Sequence, residues 1–234
     1  QRDYREKMNA GQSPFLPVLD DILQNVPVEN QIPLGQVEIP LELLVGTKTS
    51  GRTAAFASNF MPLLGLKTEF ATKWINLCVS HLDEGIRDPI TCYEYMGRFY
   101  VQEGNKRVSV LKYFDASSIT GNVTRVVPQY SDDPTVQQYY EFMHYYPITK
   151  TYLITFTKPG SYARLQKILG KEPEEPWSDD DRAEVLSLYN WVGKAYLARP
   201  AALPPLEIDG KPNYNMTPVK VATVAAMAWG IAGF

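Results

Sequence analysis

Two cysteines and two histidines among 234 residues leave little scope for thiol or metal chemistry. Cys78 sits in an apolar helical stretch and Cys92 in a strand-like one, so both read as small packed hydrophobes rather than as a bridge or a nucleophile. His81 and His144 stand at no zinc-ligand spacing, which removes the pattern of a structural zinc site, and no Gly-x-Ser-x-Gly elbow marks a hydrolase serine. Positive charge is not in excess either. The 23 Lys and Arg against 26 Asp and Glu give a net charge of −3, a poor basis for nonspecific nucleic-acid binding, which depends on many cation-phosphate contacts. No apolar run reaches the ~20 residues of a bilayer span. The nearest, Val219 to Phe234, is alanine-rich and reads as a buried helix or a contact, so no membrane partner is expected. The opening residues, Gln1 to Gly11, are charged throughout rather than apolar as in a secretion signal, and a cytoplasmic setting is the expectation.

What is present is enough apolar sequence, 44% of the chain, for a sizeable core. The segment Arg98 to Phe114 carries the most information. Phe99, Tyr100 and Val101 favour a pleated surface, whereas Val108, Val110, Leu111 and Phe114 give a helix one apolar side. Gly104 stands where one period changes to the other. A helix start leaves backbone N–H groups unpaired and partially positive, suited to a phosphate. Lys106 and Arg107 add formal charge there, and Glu103 is the adjacent carboxylate, a candidate base or cation ligand. A solvated strand-to-helix turn is the competing account. The loop Gly46 to Arg52 joins two glycines, hydroxyl residues and the cations Lys48 and Arg52. It lacks the Gly-Lys-Thr order of a Walker loop, and reads either as a phosphate cover or as a flexible turn.

Around these residues the order of landmarks resembles the ParB N-terminal-like superfamily, which includes sulfiredoxin and a free-serine kinase. The resemblance covers about Val37 to Pro128. Val37 to Val45 followed by Gly51-Arg52 is similar to the family's opening strand, helical turn and first basic residue. Phe70 to Glu84 matches a helix, Gly85 to Ile90 the entry into the next strand, Gly104-Asn105-Lys106-Arg107 a Gly-x-x-Arg turn, and Ile119 to Val127 the closing strand. Asn105 stands where sulfiredoxin-like members carry cysteine, which speaks against sulfinic-acid reduction. The Gly-Glu-Arg-Arg of partition proteins and the histidines of the serine-kinase type are also absent. The resemblance implies an α/β (α+β) fold with a mixed-sheet core and flanking N- and C-terminal helices. It implies a small anionic ligand, a nucleotide such as ATP or CTP with Mg2+, bound by Gly104, Asn105, Lys106 and Arg107 with Arg52; the loop reading adds Lys48, and Glu103, from its place beside the turn rather than from the resemblance, is the candidate group for hydrolysis or phosphotransfer. A DNA-associated regulator or adaptor, or a non-catalytic module of a larger chain, are the other readings.

Domain organisation follows composition. Residues 1–36 read as an N-terminal helical arm of two short helices, with Ser13 capping a helix that starts at Pro14, and Pro27 to Gln36 as its connection to the core at 37–128. Residues 129–199 read as an accessory region: a helix at Val136 to Tyr146, an alternating strand at Thr151 to Thr157, a helix from Ser161 stopped at Gly170, and a long helix capped by Ser178, whose Asp179, Asp180 and Asp181 suit its positive end rather than a metal. The acidic connection Gly170 to Trp177 is too long for a helix-turn-helix. Residues 200–234 read as a proline-rich linker and an apolar tail.

Overall fold

The computed structural model describes residues 2–197, 207–208 and 211–212, and of Arg52, Asn190 to Leu197, 207–208 and 211–212 the backbone alone. The chain divides into two compact units, Gln1–Tyr130 and Ser131–Phe234. The first is built on a five-stranded mixed sheet in the order β1-β5-β3-β4-β2. Its strands are β1 (Val28–Pro40), β2 (Leu44–Thr47), β3 (Ile90–Tyr95), β4 (Arg98–Glu103) and β5 (Ser118–Pro128). β1 runs antiparallel to β5, β3 is parallel to β5 and antiparallel to β4, and β2 is parallel to β4. The fold is thus of the mixed α/β class.

Alternation places two cores on the two faces of this sheet. Cys92 and Val101 are direct partners on one face, both fully buried. On the other, Tyr100 and Val126 pack with Leu19 of α2 (Leu19–Leu23). α3 (Glu69–Asp83) begins at Thr68, whose hydroxyl accepts from the Ala71 N–H, a cap worth about 1 kcal/mol. Trp74 Nε1 on α3 donates to Ser109 Oγ on α4 (Asn105–Tyr113) at 2.9 Å. Between β3 and β5, Glu94 and Arg125 form a buried pair at 2.5 Å, and Glu94 Oε1 also accepts the Gly97 N–H. That second bond ties the pair to the β3–β4 turn, where Met96 and Gly97 both have positive φ.

Two N-terminal expectations are corrected. Pro27 to Gln36 is not a connection, because Val28 onward belongs to the thirteen-residue β1. From Val28 to Gln36 this edge strand is solvated almost throughout, so it shows no alternation to read, and bulges at Val28/Asn30 and Pro33/Gly35 absorb Pro33. Nor does Ser13-Pro14 open a helix. After α1 (Arg2–Asn9) the chain runs extended, bridging Phe15 to Ala57 and Val18 to Thr47, with the Thr47 N–H donating to Pro17 O at 2.9 Å. Pairing with the β2 edge outweighs the local cap signal. A Cβ on Gly46 would lie 2.3 Å from that Pro17 oxygen, so glycine is required where the strap crosses.

The second unit holds α5 (Pro134–Thr149), α6 (Ser161–Ile168) and α7 (Asp179–Leu197), then the short pair Glu207–Ile208 and Lys211–Pro212. Aromatic rings fill its core, Tyr139, Phe142, Tyr152, Phe156 and Tyr162 among them. Thr151 to Thr157 is not a strand. Tyr152, Ile154 and Phe156 are buried in alternation as its pattern says, but they fill the aromatic core from irregular chain and join no ladder. α7 is capped as expected: Ser178 Oγ accepts from the Asp181 N–H, while the Asp181 carboxylate accepts the Ser178 N–H. The tail helix expected at Val219 to Phe234 lies outside the described residues. Among those described, no helix is long and apolar enough to cross a membrane.

Candidate functional site

The Gly104 turn has the form expected of it. Gly104 takes φ +105° as β4 hands over to α4, and as the N-cap residue it brings no side-chain cap to the helix start. A Cβ at this position would lie 2.5 Å from Ile90 Cγ2, which makes glycine necessary on two counts. Asn105 is buried, 7% exposed, and its Oδ1 has no hydrogen-bond partner among the described residues. It is an open acceptor for a hydroxyl or amine donor.

A cleft of about 430 Å3 lies beside this turn. The 3-10 turn Ser50–Ala55, the start of α3 and the start of α4 form its walls, through Gly51, Ala54, Phe70, Lys73 and Lys106. Two helix N-termini therefore border one hollow, each adding a partial positive charge to those of the lysines. Glu69 is the carboxylate in its lining. Lys73 binds it at 2.5 Å and, with a smaller contribution from Lys106, holds its pKa below the ordinary range. The Lys106 ammonium stands 4.9 Å from the Phe70 ring centre, leaving an aromatic surface beside the cations.

The sequence-derived residues separate at this point. Lys106 lines the cleft, and Gly51 brings the Gly46 to Arg52 loop to it, whereas Gly104 and Asn105 are not among the lining residues. Arg107 does not line the cleft: its Nη1 donates to Asp88 O at 2.9 Å and Pro89 O at 2.7 Å, holding the entry to β3. Lys48 is engaged elsewhere, in an ion pair with Asp20 and 5.1 Å from the Tyr93 ring centre. Glu103 is exposed at the end of β4 and is not among the lining residues. The backbone of Arg52 lies in the 3-10 turn, and its side chain is outside the described residues. Glu69, Phe70 and Lys73 were missed, although the Thr68 cap and the Glu69/Lys73 spacing of four mark a helix start there. No group of three or more His, Cys, Asp or Glu is assembled for a metal among the described residues. The Cys92 thiol is pushed up to about 12 by burial, then by Glu94, which leaves it unreactive at neutral pH.

No family model matches the chain. A stretch of 43 residues is 67% identical to a cytochrome c oxidase subunit 1 homolog of Azorhizobium caulinodans, 18% of this chain and 8% of that protein. A stretch of 52 residues is 67% identical to the bacteroid cytochrome c oxidase subunit 1 homolog of Bradyrhizobium diazoefficiens, 22% of this chain and 9% of that one. The chain thus spans less than a tenth of the length of these curated relatives. Among solved structures, sulfiredoxin from Arabidopsis thaliana aligns at 22% identity with a TM-score of 0.26, over 38% of this chain and 82% of that chain.

Proposed function

We propose that the first unit is a ParB-like module that binds a nucleotide or another phosphate-bearing small molecule in the cleft at the starts of α3 and α4. The observation that carries this is the meeting of Gly51 and Lys106 in one hollow of about 430 Å3, which joins the glycine-rich loop to the Gly104 turn. The phosphate is held at the start of α4 with Lys106 and Lys73. Phe70 offers an apolar surface beside the cations. Glu69 is the carboxylate available to a phosphate-bound Mg2+, an ion that needs few protein ligands. Arg107 has a supporting part, fixing the loop before β3 so that the turn keeps its shape.

The test is a thermal-shift comparison of ATP, ADP, CTP, GTP and inorganic phosphate, each with and without Mg2+. Ligand at a hundredfold its Kd stabilises by about 2.7 kcal/mol. Stabilisation is expected with at least one nucleotide, lost in Lys106→Ala; Glu69→Gln should strengthen it without Mg2+, because Lys73 is freed, and remove any additional gain from Mg2+. No shift with any compound, or a shift that both variants leave unchanged, refutes the proposal.

A further inference from the structure

The second unit contains a separate pocket that the cleft of the first does not use. It lies where α7 covers the irregular chain after α5, and its volume is about 140 Å3. Ile154, Trp177, Val185 and Leu186 form walls, and Lys150 and Arg182 are the charged residues in the lining, with no carboxylate among them. A cavity of about 150 Å3 lined by apolar side chains admits a benzene ring, so this hollow has the size to take a six-membered ring.

The frame of the pocket is fixed. Trp177 is buried, and its Nε1 donates to Gln166 Oε1 at 2.7 Å. Arg182 donates from Nη1 to Trp177 O at 2.6 Å and from Nη2 to Asp179, which anchors its guanidinium against the pocket wall. Lys150 ends α5 at φ +52°, and its ammonium stands 5.7 Å from the Tyr146 ring centre. It is exposed, so its charge can meet an anion at the rim without a desolvation penalty on its own side. Because Arg182 is paired with Asp179, the charge open to a ligand is the exposed Lys150 ammonium, and an apolar hollow of ring size with one such cation and no acid in its lining is complementary to a ring bearing a single negative charge.

We infer that this pocket binds a small aromatic monocarboxylate, the ring between Trp177 and Val185 and the carboxylate at Lys150, with Arg182 as part of the fixed wall. The test titrates the full chain with benzoate, toluene and benzylamine, three probes of one size and different charge, read by saturation-transfer NMR. Benzoate is expected to bind saturably and at least about tenfold more tightly than benzylamine, the effect of roughly one favourable charge contact. Lys150→Asn keeps a residue that tolerates positive φ and should bring benzoate to the affinity of toluene. Val185→Phe should remove binding by filling the pocket. Leu186→Trp does the same from a position already 39% exposed, which guards against misfolding of the first variant. Absence of saturable benzoate binding overturns the inference, as does benzylamine or toluene binding as tightly as benzoate, or benzoate binding unchanged in the filling variants.

Discussion

Replacing Gly104 by alanine probes the turn on which the site depends, and the structure supplies its cost in two parts. The first is conformational: at φ +105° an L residue is strained by ~1–2 kcal/mol. The second is steric. The new Cβ would stand 2.5 Å from Ile90 Cγ2 and 3.1 Å from Ile90 Cβ, and Ile90 is fully buried, so overpacking adds ~1–3 kcal/mol. The sum, about 3 kcal/mol, is a large share of the ~5–15 kcal/mol that holds a domain together. Urea unfolding of the full chain, followed by circular dichroism, reads it as a midpoint lowered by about 1.5 M for a slope near 2 kcal/mol per M. A double-mutant cycle separates the parts. In an Ile90→Ala background the Cγ2 methyl is gone while Cβ stays, so Gly104→Ala should lose most of its steric part, a coupling of about 1–3 kcal/mol. A loss under about 1 kcal/mol, or the same loss in both backgrounds, would show that this glycine is not required by the geometry argued here.

Other outcomes follow from the same coordinates. Glu94→Ala leaves Arg125 buried opposite an empty place and should destabilise by about 3–5 kcal/mol in chemical denaturation, whereas a paired replacement by Leu at both positions should recover most of the loss. Burial lowers the Lys112 ammonium to about 8, so the unfolded chain binds more protons between that value and 10.5. Stability should therefore rise with pH across this window, a slope absent in Lys112→Met. Cys92 works in the opposite sense. Its folded value of about 12 lies above the ordinary 9, so its contribution falls as pH rises from 9 to 12, and Cys92→Ala should remove that decline. Asp181 is held at about 2 by Lys171 and then Ser178; the α7 cap should persist above pH 3.8 and weaken as pH falls towards 2, a change that Asp181→Asn abolishes.

The first unit was legible where local and long-range preferences coincide. From Ile90 to Pro128, alternation, the Gly104 break, the helix period and the closing strand are all where the sequence puts them, because each element is buried and its pattern is enforced by a neighbour. Legibility ends where partners decide. β1 extends back to Val28 because β5 is long enough to pair with it, and a stretch of strand solvated almost throughout carries no periodic trace. Thr151 to Thr157 is the converse case. Its alternation reports burial correctly, but burial alone does not make a strand without a ladder partner. Ser13-Pro14 shows a third form of the conflict, a cap signal overruled when an extended strap finds the backbone of β2.

The candidate site divides along the same line. Glycine at Gly104 follows from a backbone change that one segment reveals, and the proximity of Lys106 to a helix start is equally local. The destination of a long cation is not. Arg107 sits in the motif but is drawn to the carbonyls of Asp88 and Pro89, because the chain before β3 leaves those acceptors within its reach. Lys48 lies in the right loop but meets Asp20 on α2, an element nearly thirty residues away. Lys73 reaches the cleft from a helix whose own start was visible, yet only the fold brings that start beside α4. A glycine thus reports its constraint in the sequence because the constraint is its own backbone, whereas a lysine or arginine takes its role from whichever acceptor the tertiary structure brings to it.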